Sequence, residues 1–269
     1  MIKHSINLTA QSSGLWFVVN KGRIFLGADG KIPQGNKASL GVAVDPEQVC
    51  WLGEYQQKPC YLLIDHDQIV DETAWHSARS FLDLDEQLFQ LAARATQVAL
   101  FLQTHRFCGQ CGSAMYLVNW ELATLCSKCG HRCYPRIAPC VLVGITRPGQ
   151  LLLARSTRHK AGFYSILAGF VESAETLEQA ALREVKEEVG LNINNLTYIG
   201  SQPWPFPHSL MVGFTADYVG GEIVCQPNEI EEADWFDLDN LPQVPPIATL
   251  SGRIIRQLQR QHEVLINSQ

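Results

Sequence analysis

The chain has 269 residues, enough for two ordinary domains, and its 46% hydrophobic and 18% charged residues argue for packed cores and against disorder. A formal net charge of -6 argues against a continuous basic surface tracking nucleic-acid phosphates, so an anionic substrate would need the help of a metal. The N-terminal segment MIKHSINLTAQSS lacks the basic and apolar regions of a signal peptide, and no apolar run approaches membrane-spanning length, which predicts a cytoplasmic protein with no membrane association.

Residues 1 to about 82 carry short β-like runs, Leu15 to Val19, Arg23 to Leu26, Val49 to Tyr55 and Tyr61 to Ile64, punctuated by Gly, Pro and Asp turns. From Asp85 to about His105 the period changes. Leu88, Leu91, Ala92, Ala95, Val98, Ala99 and Leu102 recur at helical spacing and predict one long amphipathic helix. A cysteine-rich insert follows over 108–133. Cys140 to Ile145 and Leu151 to Arg155 then read as buried strands joined by a Pro148-Gly149 turn. Further on, the pattern predicts a helix at Leu177 to Val189, strands near Leu196 to Ser201 and Leu210 to Tyr218, and a C-terminal helix from about Leu250. These elements divide the chain into a β-rich N-terminal domain ending in the long helix (1–105), a cysteine module (106–133) and a mixed α/β domain (134–269).

Nine cysteines in a chain without a secretion signal point to metal rather than disulfides, because four of them form two C-x-x-C pairs. Cys108 and Cys111, a spacer of fourteen residues, then Cys126 and Cys129 supply the four thiolates of a closed, structural zinc site. Gly112 and Gly130 each follow the second cysteine of a pair, where glycine lets the backbone turn toward the sulfurs. Cys133 can compete as a ligand or stand by. The two symmetric pairs already complete four-coordination, which favours the bystander.

Glu184, Glu187 and Glu188 stand at i, i+3 and i+4 and share one helical face, with Leu182, Val185 and Val189 directed to another. Three like charges destabilise a bare helix, and a hard divalent cation that also binds substrate phosphates resolves the repulsion. A solvated acidic face is the plain alternative. The flanks weigh against it: Gly169 permits close backbone approach, Arg183 can hold a carboxylate, and Gly190 is suited to ending the helix.

The segment from Gly169 to Leu191 reads G-x5-E-x7-R-E-U-x-E-E-x-G-U, with U as Val185 and Leu191, and on this pattern the chain resembles the Nudix hydrolases. Ser201-Gln-Pro-Trp-Pro-Phe-Pro-His-Ser209 is similar to the array of the NADH pyrophosphatase branch, whose members also place a four-cysteine zinc insert before the catalytic domain. The resemblance implies a Nudix α/β/α sandwich preceded by a zinc ribbon and a β-rich domain that helps form a homodimer. It implies Mg2+ or Mn2+ at Glu184, Glu187 and Glu188, with Arg183 in the catalytic set and Glu229 a further ligand. Either Glu187 or Glu188 would be the general base. By resemblance, Gln202, Trp204, Phe206 and Ser209 line a nucleotide pocket with Ala168 and Ser251, although Trp204 and Phe206 could instead be rigid core aromatics. Phe170 and Tyr134 would offer ring faces to nicotinamide, Tyr134 in a neighbouring subunit's site. Arg79 and Glu121 match substrate-binding positions, and a surface salt bridge is as good a reading of each.

Two departures stand out. The family usually has glycine where this chain has Ala174, so alanine would carry a strain cost if that position needs positive φ, and often histidine where Cys133 stands. The implied reaction is hydrolysis of NADH, and less well NAD+, to nicotinamide mononucleotide and AMP, with removal of an NAD cap from RNA as the same chemistry. The rivals are a Nudix hydrolase of ADP-ribose-type substrates and a non-catalytic nucleotide sensor.

Overall fold

The structure is a computed structural model and describes residues 8, 9, 12–41, 44 and 49–267. Its contacts divide the chain into two units, residues 1–136 with 205–208, and residues 137–204 with 209–269.

The first unit begins with six strands, β1 (Ser13–Asn20), β2 (Arg23–Phe25), β3 (Gln34–Asn36), β4 (Val49–Tyr55), β5 (Lys58–Ile64) and β6 (Trp75–Ser77). They form one sheet in the order β4-β5-β1-β2-β6, with β3 also on β1. Strand β1 runs parallel to β5, and its LWFVV run is buried on both faces, which is why it reads as continuously apolar rather than alternating. Helix α1 (Glu86–Thr104) packs on β1, β4 and β5. Asp85 starts it by accepting from the Leu88 amide at 2.8 Å. Three short strands follow, β7 (Met115–Leu117), β8 (Thr124–Cys126) and β9 (Arg132–Cys133), in an antiparallel ribbon.

The second unit holds β10 (Ala138–Arg147), β11 (Gln150–Ser156), β12 (Leu167–Phe170), β13 (Asn192–Trp204), β14 (Ser209–Gly220) and β15 (Ile230–Asp237), with helices α2 (Leu177–Val189) and α3 (Leu250–Asn267). The sheet order is β13-β14-β10-β11-β15, with β12 on β10, and β10 and β14 run parallel. Alternation along β11 shows the layering. Leu152 and Ala154 join Ala180, Ala181, Val185 and Val189 of α2 in one core, while Leu151 and Leu153 join Leu250, Ile254, Ile255 and Leu258 of α3 in another. The unit is therefore an α/β/α sandwich, as the carboxylate helix and the C-terminal helix imply.

Strands β12 and β15 have no counterpart in the sequence reading, and β3 and β6 are only three residues long, too short to show a period. Leu182 is a correction: it is 44% exposed, whereas Val185 and Val189 are fully buried. The core stripe of α2 runs through Ala181, Val185 and Val189 at steps of four, and Leu182 falls off its edge.

Thr176 and Gln179 close a reciprocal capping box at the start of α2, and Gly190 ends the helix in the left-handed region at φ 75. Two residues before the cap, Ala174 also lies at φ 67, the conformation that favours glycine. Ala174→Gly is expected to stabilise the protein by about 0.5–1 kcal/mol, the strain relieved less the added flexibility of the unfolded chain. Urea unfolding checks this, and a lower midpoint in the variant would show that the turn carries no strain.

Candidate active site

The four sulfurs of Cys108, Cys111, Cys126 and Cys129 all lie within 4.8 Å of one another. Two matching turns bring them there: Gly112 donates to the Cys108 carbonyl at 2.9 Å and Gly130 to the Cys126 carbonyl at 3.0 Å, both glycines in the left-handed region. The donor set is that of a structural zinc. Cys133 lies opposite Thr124 on β9 and outside the cluster.

Beside the ribbon cysteines, Glu121 is an ion-pair partner. Arg132 donates to one of its oxygens at 2.8 Å and the Tyr134 hydroxyl to the other at 3.3 Å, which leaves the Tyr134 ring 51% exposed. Arg79 sits on a 3-10 turn with its guanidinium 4.5 Å from the centre of the Phe206 ring, a cation–π arrangement.

In the sandwich, the carboxylates are organised by Arg183. Its guanidinium grips Glu175 with two hydrogen bonds, Nε to Oε1 at 2.7 Å and Nη2 to Oε2 at 2.9 Å. It also donates to Glu184 at 2.9 Å, Glu187 at 2.9 Å and the Phe170 carbonyl at 2.9 Å. Arg183 holds the Glu175 carboxyl down at about 2, aided by the Glu172 amide. Glu175 has a place in the motif, but the sequence does not say that it is Arg183's main partner.

Glu184 lies against strand β12: a β-carbon at Gly169 would overlap its carboxylate and displace it, so the glycine leaves the room that this position of Glu184 uses. Burial pushes the Glu184 carboxyl up, with Arg183 opposing. Glu188 is 7% exposed, and its Oε2 is buried with no hydrogen-bond partner. Burial, then the charges of Glu184 and Glu229, push Glu188 up to about 8, against a bond from the Ala168 backbone. Glu229 reaches this group from the turn before β15, a turn tied to the end of α2 where Gln226 donates to the Glu188 carbonyl at 2.9 Å. Cys140, beneath the carboxylates on β10, has its thiol pushed up to about 12 by burial and then by Glu184 and Glu188.

Hard oxygen donors from Glu184, Glu187, Glu188 and Glu229, one with a buried and unsatisfied atom, fit a divalent cation. Among the described residues they do not gather as tightly as the cysteines do. Like charges stand apart, and Arg183 binds two of them.

The remaining predicted residues distribute as follows. Phe170 on β12 is 56% exposed, and Ala168 on the same strand is also exposed. Gln202 is buried, with its amide committed to α3: it donates to the Ala248 carbonyl at 2.9 Å and accepts from the Leu250 amide at 2.7 Å. Trp204 ends β13 opposite the buried Ser209 that opens β14. Ser251, in the first turn of α3, pairs with the Thr249 hydroxyl at 3.2 Å.

Two predictions follow from these groups. Purified protein is expected to carry one zinc per chain by atomic emission, and Cys126→Ser to lose it and melt the ribbon; a zinc-free but fully ordered ribbon would contradict the assignment. The second concerns pH. Glu188 is raised above its unfolded value of 4.5, so metal-free stability due to it is full below about 4.5 and is lost as pH rises through about 8. A ligating Glu188 must lose that proton, so affinity for Mn2+ is expected to climb between about pH 5 and pH 8 and level off above, with proton release in calorimetry. A flat affinity across that range would remove Glu188 from the ligand set.

Comparison with known proteins agrees with this geometry. The NUDIX domain model matches residues 136–258, and the NADH pyrophosphatase zinc ribbon domain model matches residues 103–134. The chain is 46% identical over 248 residues to the NAD-capped RNA hydrolase NudC of Edwardsiella ictaluri, covering 92% of this chain and 94% of that one. It is 44% identical over 263 residues to the protein of the same name from Yersinia pseudotuberculosis, covering 97% and 98%. Among solved structures, the MutT NUDIX hydrolase from Burkholderia pseudomallei is 28% identical over 45% of this chain and 97% of that chain, with a TM-score of 0.40. With the carboxylate helix, the four-cysteine cluster and near full-length relatives in agreement, the chain belongs to the Nudix hydrolase family, in the branch that carries the NADH pyrophosphatase zinc ribbon.

Proposed function

We propose that this protein hydrolyses the diphosphate bond of NADH, and less well of NAD+, to nicotinamide mononucleotide and AMP, and removes the NAD cap from RNA 5′ ends. The observation that carries the reading is the Glu188 carboxylate, buried with one oxygen unsatisfied among Glu184, Glu187 and Glu229. The relatives named as NAD-capped RNA hydrolases support the substrate. Mg2+ or Mn2+ bound there would neutralise diphosphate charge and lower the pKa of a bound water. Glu184 and Glu188 would be ligands, a reading supported by the place of the first against Gly169 and the burial of the second. Arg183 keeps Glu187 in reach and stays protonated, so it takes no part in proton transfer.

The proton of the attacking water falls to Glu187 or Glu188, and single Gln variants separate them. Loss of a base lowers kcat with metal affinity unchanged, whereas loss of a ligand weakens metal binding. Phe170, exposed one residue from Gly169, supports stacking of a nicotinamide ring beside the carboxylates. Tyr134 would take that part in a partner subunit's site. A homodimer is supported by the exposed aromatics Phe107, Tyr116, Trp120 and Tyr134 around the ribbon. Nine cysteines without a disulfide support a reducing, cytoplasmic setting.

The test is product analysis with Mn2+ and, separately, NADH, NAD+, ADP-ribose and a 5′-NAD-capped RNA, on protein whose mass in solution is measured by light scattering. Mononucleotide and AMP from NADH, and 5′-monophosphate RNA from the capped transcript, are expected, reduced by on the order of 10²–10⁴ in Glu188→Gln. Cleavage of ADP-ribose alone would overturn the substrate assignment. Binding without cleavage of any substrate would make the protein a sensor, and a monomeric mass would remove the partner's Tyr134 from the site.

A further inference from the structure

A cavity of about 400 Å³ lies within the first unit at the C-terminal end of α1. Its wall has no carboxylate, in a chain of net charge -6. Arg136, His105 and His208 give it one full cation and two imidazoles. Leu100, Phe101 and Pro207 give it an apolar side, and Gln97 and Thr104 add neutral polar groups.

The Thr104 hydroxyl is spent on the Leu100 carbonyl at 2.7 Å, but other polar groups of this wall are not. Arg136 is exposed and forms no ion pair among the described residues. The His208 Nδ1 is buried with no hydrogen-bond partner, a costly arrangement unless something else supplies one. His105 is oriented by its Nδ1, which lies 3.2 Å from the Phe101 carbonyl and 3.0 Å from the Thr104 hydroxyl. A carbonyl only accepts, so Nδ1 carries the proton of that bond and Nε2 remains for a ligand. The ring is further fixed at 4.8 Å from the Phe101 ring.

An arginine, two imidazoles and apolar side chains around one cavity match the chemistry of one nucleotide of a single-stranded nucleic acid, its phosphate held by the cation and its base by the apolar groups. The volume suits a ligand of that size. The sequence ties this wall to the nucleotide-recognition array, because Pro207 and His208 belong to the same SQPWPFPHS run as Gln202 and Trp204.

We infer that this cavity, with Arg136 at its phosphate side, binds a nucleotide of the RNA chain downstream of the cap. The inference rests on the RNA part of the proposed function. It makes Arg136 a binding residue for capped RNA and leaves the dinucleotide alone untouched.

The experiment measures fluorescence anisotropy of a 3′-fluorescein, 5′-monophosphorylated single-stranded RNA decamer, with NADH turnover in parallel, on the full chain. The variants are Arg136→Gln, Arg136→Lys and the isosteric Gln97→Glu, which places a negative charge in the wall. Arg136→Gln is expected to weaken RNA binding about fivefold and to make the slope of log affinity against log salt shallower by about 0.7, one phosphate contact on a single strand. Arg136→Lys should restore the slope, Gln97→Glu should weaken binding as Arg136→Gln does, and NADH turnover should stay within about twofold of wild type. RNA affinity and salt slope unchanged in both Arg136→Gln and Gln97→Glu would overturn the inference, as would a wild type that does not bind the decamer. NADH turnover falling in step with RNA binding would also overturn it, since the cavity would then act on folding. Wild type that binds the decamer through Arg136 but leaves capped RNA intact would defeat the proposed decapping and keep the cavity. Capped RNA cleaved equally by wild type and variants, with equal binding, would do the reverse.

Discussion

All five N–H donors of Arg183 are engaged, with Glu175 taking two and Glu184, Glu187 and the Phe170 carbonyl taking one each. The arrangement ties together three parts of the chain that otherwise repel or drift. Two carboxylates of α2 stand on one face, and the guanidinium supplies the compensating charge. The loop after β12 is drawn onto the helix through Glu175, which also accepts from the Glu172 amide at 2.9 Å. The carbonyl of Phe170 anchors the end of the strand whose Gly169 makes room for Glu184. A lysine could supply the charge but lacks the planar fork that grips Glu175 with two bonds while reaching three other acceptors.

Glu188 is placed on different terms. It has no bond to Arg183, and the sheet buries it beside Val185, so its charge is opposed by desolvation and by Glu184 and Glu229. Such a group lowers stability when ionised and awaits a partner of opposite sign, which is the usual cost of a preorganised cation site. The turn carrying Glu229 is strapped to the last residues of α2 by the bonds from Val224 to Val189 and from Gln226 to Glu188, so the fourth carboxylate is delivered by main-chain hydrogen bonds rather than by its own side chain. The zinc ribbon solves a similar problem in less space. Two left-handed glycines turn the backbone, and the metal itself would supply the cohesion that the three short strands cannot.

Much of this was legible because the chemistry is local. The C-x-x-C pairs, the i, i+3, i+4 glutamates, Arg183 beside them and the glycine stop at 190 are patterns of neighbouring residues, and a helix or a tight turn converts spacing into geometry without outside help. The long helix after Asp85 and the strands at 49–55 and 140–145 were legible for the same reason, since each has a period or an unbroken apolar run. Ala174 illustrates a finer case: its departure from glycine is visible in sequence, but the φ of 67 that makes it matter belongs to the turn.

Local sequence thus settles which side chains exist to do chemistry and which of them share a helix face or a turn. Tertiary structure alone decided the rest, because it depends on residues far apart in the chain. Strand β12 has no period of its own and exists only as an edge on β10, yet it sets the Gly169 floor under Glu184 and the amide near Glu188. Gln202, which the array offers as a pocket residue, spends its amide on the start of α3, 46 and 48 residues away. The elevated pKa of Glu188 arises from packing and from Glu229, 41 positions downstream, and no window of sequence contains both. Periodicity reports on a residue's own element, whereas burial and the company of distant charges are properties of the packed fold.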